Sequence, residues 1–411
     1  MNFNELRGEH PQFIYEGFQI LEEGKNLKVT FDFLITPDIR FKPEIIFPNV
    51  SRKEGLENLV FNLGMIELIS YWKAACPPEI IIKAGYLDEV QISFWKNLLI
   101  KGLGEFFYTN QIDFTINDLV HFVILNEVKD LPRMRDSNEL RDSSPAKPVQ
   151  NDKIELTDRD LILVGGGKDS AVTLEQISNS GKDFNCLILN PTKAALDIAQ
   201  AGGCKNPIII KRTIDTKLLE LNKMGYLNGH TPFSAYLAFL GTLAGVLYDY
   251  QNIVVSNEAS SNEGNVRWMG QEINHQYSKT SEFEKDFRDY CEKYLAPTNY
   301  FSYLRSKGEL EISELFSKME KYHKLFRSCN KGSKQGIWCG ECPKCISTFI
   351  TLYPYLGEKT VEIFGKNLLK DEKLKPVIEG LLGKNNLVKP FECVATYGEI
   401  KKALGMVGYE T

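Results

Sequence analysis

The sequence has few of the features that mark membrane-embedded, secreted or nucleic-acid-binding proteins. No apolar run reaches the length needed to span a bilayer, and the residues that follow Met1 do not resemble a signal peptide. No charge of one sign dominates, since 49 Lys and Arg face 54 Asp and Glu. A mildly acidic balance gives no support for a large nucleic-acid surface. We therefore expect a cytoplasmic protein with no membrane partner, and the sequence leaves its oligomeric state open.

The cysteines do not suggest a disulfide framework. There are nine of them, an odd number, and four lie close together late in the chain. These four are Cys329, Cys339, Cys342 and Cys345. Four thiolates at this spacing can close a tetrahedron around a structural Zn²⁺ ion, and an iron–sulfur cluster is the alternative. We expect a reducing compartment and a zinc-type knuckle.

A chain of 411 residues is longer than one ordinary domain, so we expect several units. Residues 1–130 should form an α+β domain with its own core, and residues 131–152 a polar linker or insertion. Residues 153–325 should form an α/β domain. The remaining residues, 326–411, should hold the cysteine knuckle and short helices, and outside the knuckle nothing in them suggests chemistry.

Apolar periodicity predicts the secondary structure of both larger units. In the first unit it predicts a hairpin of Gly17–Ile20 with Leu27–Phe33, strands at Glu44–Pro48 and Glu79–Lys83, and helices at Leu56–Trp72 and Val90–Phe107. In the second it predicts strands at Leu161–Val164, Asn185–Pro191, Asn206–Arg212 and Asn252–Asn257, and helices at Ala171–Ser180, Ala194–Ala201 and Phe233–Tyr248. Continuous apolar strands that alternate with helices predict a doubly wound parallel sheet, with a ligand site beyond the carboxyl ends of its strands.

A glycine-rich loop follows the first of these parallel strands. It consists of Gly165, Gly166, Gly167, Lys168, Asp169 and Ser170. Glycines let a ligand approach the backbone, and the helix start that follows attracts an anion. Lys168 adds positive charge, Asp169 can reach a metal ion and Ser170 can bond to phosphate oxygens. The spacing differs from that of the P-loop and of the dinucleotide fold. We interpret the loop as a phosphate cradle, and a glycine-rich turn without a ligand is the alternative.

Other polar clusters should lie on the same edge of the sheet. Asn190, Arg212 and the pair Asn257 and Glu258 each follow a predicted strand. Two further polar segments hold His230 and His275. A histidine in a loop is often only solvated, but these two loops should face the ligand, which favours substrate or metal contacts.

The glycine loop resembles the S-G-G-x-D-S loop of the PP-loop ATP pyrophosphatases, with Gly165 where that family usually has serine. The resemblance implies an adenine nucleotide alpha hydrolase-like fold, cleavage of ATP between its α- and β-phosphates, and Mg²⁺. Together with the C-x2-C-x2-C motif, the loop also resembles the 7-cyano-7-deazaguanine synthases, which adenylate a carboxylate. That comparison does not cover the N-terminal unit.

A closer resemblance is to the ATP-dependent UDP-N-acetylmuramoyl-L-alanyl-L-glutamate epimerase family of peptidoglycan synthesis. It is carried by Ile69–Lys73, Gly165–Ser170, Leu227–Pro232, Ser256–Glu258, Asn262–Asn265, Asn274–Lys279 and Trp338–Cys345. It implies that the terminal L-glutamate of the UDP-muramoyl dipeptide becomes D-glutamate through an acyl-adenylate, with release of AMP and pyrophosphate. Two alternatives stay open: a carboxylate-adenylating enzyme of the deazaguanine or tRNA-modification type, and a non-catalytic nucleotide-binding protein.

The resemblance also implies roles for individual residues. Candidates for catalysis are His275, Lys279, Lys73 and Asp169. The cofactor-binding set is Gly165, Gly166, Gly167, Lys168, Asp169, Ser170, Asn190 and Arg212. The substrate set is Tyr71, Lys73, Asn228, His230, Asn257, Glu258, Asn262, Asn274 and Ser278. The base that takes the α-proton cannot be read from the sequence, and we place His275 before His230, Lys279, Lys73, Tyr71 and Cys76. Without the resemblance, Lys73 and Cys76 are typical of an ordinary helix C-terminus.

Overall fold

The computed structural model describes residues 2–124 and 154–409. The predicted linker, residues 131–152, lies outside these ranges. Within them, no helix combines the length and the apolar character that crossing a membrane requires.

The described residues form a mixed α/β structure. Its strands are β1 (Gln12–Glu23), β2 (Asn26–Ile35), β3 (Ile39–Phe41), β4 (Glu44–Phe47), β5 (Glu79–Ile82), β6 (His121–Ile124), β7 (Asp160–Leu163), β8 (Phe184–Leu189), β9 (Ile208–Thr213), β10 (Asn252–Val255), β11 (Val266–Trp268), β12 (Gln271–Ile273) and β13 (Asn299–Ser302). Its α-helices are α1 (Phe3–Glu9), α2 (Glu57–Trp72), α3 (Glu89–Gly102), α4 (Gly104–Thr109), α5 (Lys168–Ser180), α6 (Lys193–Ala201), α7 (Thr216–Lys223), α8 (Phe233–Tyr248), α9 (Ser281–Tyr294), α10 (Glu309–Ser317), α11 (Pro343–Leu356), α12 (Glu358–Phe364), α13 (Lys375–Leu381) and α14 (Tyr397–Met406). The predicted strands and helices are confirmed, with shifts of a few residues at their ends, except for the helix predicted over Val90–Phe107.

One part of the main sheet is parallel. Its strands lie in the order β13, β10, β7, β8, β9, and each neighbouring pair is parallel. Every residue of β7 and β10 is buried, as expected for central strands covered on both faces. The chain runs from β7 outward to β9 on one side and to β13 on the other. The direction in which successive strands are added to the sheet therefore reverses between β7 and β10. Sheets of this kind bind ligands at that point.

The N-terminal strands extend the same sheet. β4 pairs with β9 in antiparallel register, and the order continues β4, β2, β1, β5, β6. The predicted hairpin is confirmed, because β1 and β2 pair up to Glu23 opposite Asn26. The helix predicted over Val90–Phe107 is instead two helices, α3 and α4, separated at Leu103. Glycines flank this break, and a Cβ atom at Gly102 would lie 2.9 Å from Pro232.

The prediction that the N-terminal unit has its own core is wrong. Buried side chains of α2 and α3 form one cluster with those of α8 and α9. Almost every residue of α2 after Asn58 is buried, because this helix lies between the sheet and α8 and has no polar face. A buried ion pair between Glu67 of α2 and Arg212 of β9 adds to this connection, with an N–O distance of 2.8 Å. The segment from α11 to α14 has a separate core.

Candidate functional site

The glycine loop leaves β7 and passes close to the start of a second helix. Gly166 has a φ of +91°, and a Cβ atom there would lie 2.8 Å from the backbone nitrogen of Ala195 in the first turn of α6. Gly167 is the N-cap of α5, whereas a Cβ atom at Gly165 would meet nothing within 4 Å. The loop therefore lies beside the N-terminal turns of two helices, which both favour an anion.

The first side chain after the glycines is a buried cation. The ammonium group of Lys168 lies 2.5 Å from Oδ1 of Asp169 and 2.8 Å from Oε2 of Glu309. Burial opposes its charge, but the two carboxylates raise the pKa of Lys168. The hydroxyl of Ser170 donates to the carbonyl of Gly167 at 3.0 Å. The ion pair between Lys168 and Glu309, at the start of α10, thus holds the loop in place. Glu309 was not among the residues predicted from the sequence.

Lys279 connects this loop to a second group of polar side chains. Its ammonium nitrogen lies 3.2 Å from Sγ of Cys393. Burial opposes its charge, but negative charge at Cys393, Glu258 and Asp169 raises the pKa of Lys279. Burial raises the pKa of Glu258, and the neighbouring Asp169 adds to that shift. The ammonium of Lys279 is therefore a positive charge that acts on both Asp169 of the glycine loop and the thiol of Cys393.

Two histidines share the carboxylate of Glu105, which α4 supplies. Nδ1 of His275 is hydrogen-bonded to Oε2 of Glu105, and Nδ1 of His230 lies 3.4 Å from the same oxygen. Burial and the nearby charges of His275 and Lys73 lower the pKa of His230 to about 3. Burial also lowers the pKa of His275, but the neighbouring Cys393 and the hydrogen-bonded Glu105 raise it to about 9. At neutral pH His230 is neutral and His275 is protonated.

Lys73 lies at the end of α2, next to the histidines. Its ammonium donates to the carbonyl oxygen of Gly229, and burial lowers the pKa of Lys73 to about 8. Within the described residues, the structure thus brings six of the predicted site residues close to one another, in addition to Lys168, which is paired with Asp169. They are Lys73, His230, His275, Lys279, Glu258 and Asp169.

Three other predicted residues hold the sheet together. Arg212 is paired with Glu67 and lies over the ring of Tyr236. The side chain of Asn190 bonds to both backbone groups of Arg212, at 2.8 and 2.9 Å. Tyr71 is fully buried and accepts a hydrogen bond from the backbone N–H of Asp215 at 3.1 Å. Their polar groups are engaged within the protein, and Cys76 is likewise fully buried.

The predicted asparagines and serine shape the loops around the site. Asn274 donates to the carbonyl of Ser261 at 2.9 Å, and Asn262 accepts from the N–H of Ser281 at 2.9 Å. Asn228 accepts from the N–H of Gly229 at 2.8 Å. Asn257 and Ser278 are buried in the same loops. A substrate-binding role for these five residues stays a prediction.

The four clustered cysteines meet as their spacing predicts. Their sulfurs all lie within 4.8 Å of one another, and those of Cys339 and Cys345 are 3.7 Å apart. Backbone N–H groups donate to the sulfurs, including that of Gly332 to Cys329 at 3.0 Å and that of Cys345 to Cys342 at 3.4 Å. Donors of this kind stabilise thiolates, so the cluster could hold a metal ion such as zinc.

Sequence reasoning missed four members of the site: Glu105, Glu309, Lys344 and Cys393. We expected no chemistry in the C-terminal region outside the knuckle, but the structure places Cys393, between α13 and α14, in contact with Lys279. Lys344, next to the cysteine cluster, lies 3.7 Å from Glu309. The only signal for Cys393 was that it falls outside the cysteine cluster in a polar segment.

Comparisons with known proteins show which family the chain belongs to. The family model of the MurL N-terminal domain matches residues 5–303, and that of the MurL C-terminal domain matches residues 325–411. Three relatives are each named UDP-N-acetyl-alpha-D-muramoyl-L-alanyl-L-glutamate epimerase. The one from Micromonospora sp. is 34% identical, over 98% of this chain and 88% of its own length. Those from Salinispora tropica and Xanthomonas oryzae pv. oryzae are 32% and 31% identical, over 89% and 84% of this chain and 76% and 73% of their own lengths. On these matches, the chain belongs to the MurL family.

Proposed function

We propose that this protein is an ATP-dependent epimerase of peptidoglycan precursor synthesis. It converts the terminal L-glutamate of UDP-N-acetylmuramoyl-L-alanyl-L-glutamate to D-glutamate and releases AMP and pyrophosphate. The names of the three relatives support the epimerisation. The observation that supports the ATP-dependent part is that Lys279 lies between Asp169 of the glycine loop and Cys393 at the other end of the site.

The reaction needs activation of a carboxylate. An ionised carboxylate makes its α-proton hard to remove, because the product would carry a second negative charge next to the first. Conversion of the carboxylate to an acyl-adenylate removes that charge and provides an enolate-like sink for the electrons. Inversion then requires removal of the proton on one face and its return on the other.

The protonation states suggest which groups handle the proton. Lys73 has a pKa of about 8, close to neutral pH, as suits a general base. His275 is protonated at neutral pH, which suits a proton donor better than the base that we expected from the sequence. We therefore propose that Lys73 and His275 together move the α-proton, with Lys73 as the candidate base.

The glycine loop would hold the pyrophosphate of ATP, as in PP-loop enzymes. The amides beside the starts of α5 and α6, with Lys168 and Ser170, provide the donors. Asp169 offers a hard oxygen ligand for Mg²⁺, which would neutralise phosphate charge. The Lys168–Glu309 ion pair keeps the loop in one shape.

The four-cysteine cluster would hold structural Zn²⁺, since it has four sulfur donors and no open position for a substrate. It also supports the segment that carries Cys393. The backbone N–H of Lys344, beside the cluster, donates to the carboxylate of Glu392 at 2.5 Å. The ion would thus fix the position of the neighbouring thiol.

A measurement of AMP, pyrophosphate and D-glutamate tests this proposal. Purified protein with ATP, Mg²⁺ and the UDP-muramoyl dipeptide should form AMP and, after acid hydrolysis, yield D-glutamate. A deazaguanine-type or tRNA-modifying enzyme would instead form AMP with a purine-like carboxylate or with tRNA. A non-catalytic nucleotide-binding protein would bind ATP without forming AMP. Formation of D-glutamate without ATP would contradict the adenylate route.

The loop offers a matched pair of variants for the same assay. Gly166→Ala forces a side chain into a left-handed conformation and against α6, so AMP formation should fall by about 10²-fold or more. Gly165→Ser adds a side chain where there is open space, and AMP formation should be retained. Equal effects of the two substitutions would contradict a phosphate cradle at this loop.

A further inference from the structure

Cys393 differs from the other cysteines outside the metal cluster. Cys76, Cys186, Cys204 and Cys291 are buried, whereas Cys393 is only partly buried. It lies between α13 and α14, in the part of the chain matched by the MurL C-terminal domain. Its neighbours Lys279 and His275 lie in the part matched by the MurL N-terminal domain. The fold has thus brought a partly buried cysteine to the edge of the site from far along the chain.

The contacts of this thiol are those of an activated nucleophile. His275 lies close enough to Cys393 to influence its ionisation, and Nδ1 of the same ring is hydrogen-bonded to Glu105. Because Nδ1 is engaged, Nε2 is the ring nitrogen that can face the sulfur. A nucleophile, a histidine and a carboxylate that orients the ring form the arrangement used for covalent catalysis on several unrelated folds. Lys279 adds a second positive group 3.2 Å from the sulfur.

The charges around Cys393 make it a thiolate at neutral pH. Burial opposes ionisation, but the ammonium of Lys279 and the nearby His275 lower the pKa of Cys393 to about 5. A thiolate whose conjugate acid is this strong is a weak acceptor for a carbon-bound proton. It remains a nucleophile at neutral pH and is a good leaving group. These properties fit transfer of an acyl group better than removal of the α-proton.

We propose that Cys393 attacks the activated glutamyl carboxyl group and forms a thioester, with His275 and Glu105 as its positioning pair. This step rests on the proposed function, because the carboxyl group must first be adenylated. A bond forms between Sγ and the carbonyl carbon, the bond from that carbon to the phosphate oxygen breaks, and AMP leaves with the electron pair. Lys279, next to both the thiol and the glycine loop, would stabilise charge on either side of the transfer.

The thioester gives the enzyme time to invert the α-carbon. An acyl-adenylate that is lost to water early returns the starting L-glutamate and wastes ATP. A thioester keeps the acyl group attached to the protein, and its α-proton is far more acidic than that of a carboxylate. Water then adds to the carbonyl carbon, the carbon–sulfur bond breaks, and the thiolate of Cys393 is restored. Net consumption remains one ATP and one water for each activated substrate.

Intact-mass spectrometry of the acid-quenched enzyme tests the thioester. Wild-type protein with excess ATP, Mg²⁺ and the UDP-muramoyl dipeptide should gain the mass of the dipeptide substrate minus one water. Peptide mapping should place this mass on Cys393. Cys393→Ala should show no such gain, and its epimerisation should fall on the order of 10⁴-fold or more. Single turnovers that form D-glutamate with no added mass at any time would overturn the proposal.

Substrate-dependent exchange of labelled pyrophosphate into ATP separates this inference from the proposed function. Cys393→Ala should retain the exchange, because adenylation precedes attack by the thiol. Absence of exchange in the wild type would refute the adenylate route itself. Exchange in both proteins, with epimerisation retained in Cys393→Ala, would refute only the role of Cys393. Cys204→Ser is the matched control, since this thiol lies outside the site and should be replaceable without loss of activity. Melting temperature and metal content verify that both variants fold.

Discussion

The two cysteine environments of this protein differ in what surrounds the sulfur. In the cluster of Cys329, Cys339, Cys342 and Cys345, the neighbours are other sulfurs and backbone N–H groups. At Cys393 they are the charged side chains of Lys279 and His275. The first environment fits a metal ion, and the second fits a reactive thiolate. The groups that surround a cysteine sulfur therefore decide whether it binds a metal ion or acts as a nucleophile.

Loss of one cluster cysteine should have the largest effect on the folded protein. We expect Cys345→Ser to lower the free energy of unfolding by more than about 3 kcal/mol, because structural zinc contributes roughly 10–16 kcal/mol of apparent binding energy in small domains. Cys393→Ser, the matched control, should change it by less than about 1 kcal/mol. Denaturant unfolding and metal analysis check both. If the Cys345→Ser protein bound no metal and were as stable as the wild type, the cluster would contribute no more to stability than Cys393 does.

Alkylation should separate the two environments by their dependence on pH. With a pKa of about 5, Cys393 should react with iodoacetamide at a nearly constant rate from pH 6 to pH 8 and more slowly as the pH falls through 5. An ordinary thiol, with a pKa of about 8.5, slows about tenfold per unit below that pH. The cluster should stay unmodified until a chelator removes the metal. Peptide mass mapping gives the rate at each cysteine, and an ordinary profile at Cys393 would contradict its activated state.

Removal of the Lys279 charge should have the smallest and most specific effect. In Lys279→Met, the midpoint of Cys393 alkylation should rise by about 1–3 pH units, the usual effect of losing a close opposite charge. Lys279→Arg keeps the charge and should shift the midpoint by less than about 1 unit. The same alkylation series measures both variants. Equal midpoints in all three proteins would show that Lys279 does not stabilise the thiolate.

The sequence predicted features that are local in the chain. The cysteine cluster and the glycine loop each lie in one short segment, so their spacing alone indicated their geometry. Four of the five strands in the order β13, β10, β7, β8, β9 were also recognisable as apolar runs, whereas the short edge strand β13 (Asn299–Ser302) was not predicted. A separate N-terminal core was expected because the polar segment before residue 153 suggested a boundary. The apolar residues on every side of α2, however, required burial against a further layer, which α8 supplies.

The reactive thiol could not be predicted in the same way. Glu105, His275 and Cys393 come from three distant segments, and none has a motif of its own. Only their contacts in the fold reveal them as a group. His275 was identified because its loop follows the sheet edge, but its protonation depends on Glu105 and Cys393. Likewise, Arg212 was expected at the nucleotide, and its pairing with Glu67 depends on the way α2 packs.

The pairing of β4 with β9 has a consequence for synthesis of the chain on the ribosome. The N-terminal strands emerge first, but the partner of β4 ends only at Thr213. At 5–20 residues per second, the edge of β4 stays without this partner for on the order of ten seconds. An open strand edge is prone to pair with other chains during that interval. Nascent chains of this protein should therefore depend on chaperone binding until β9 has emerged.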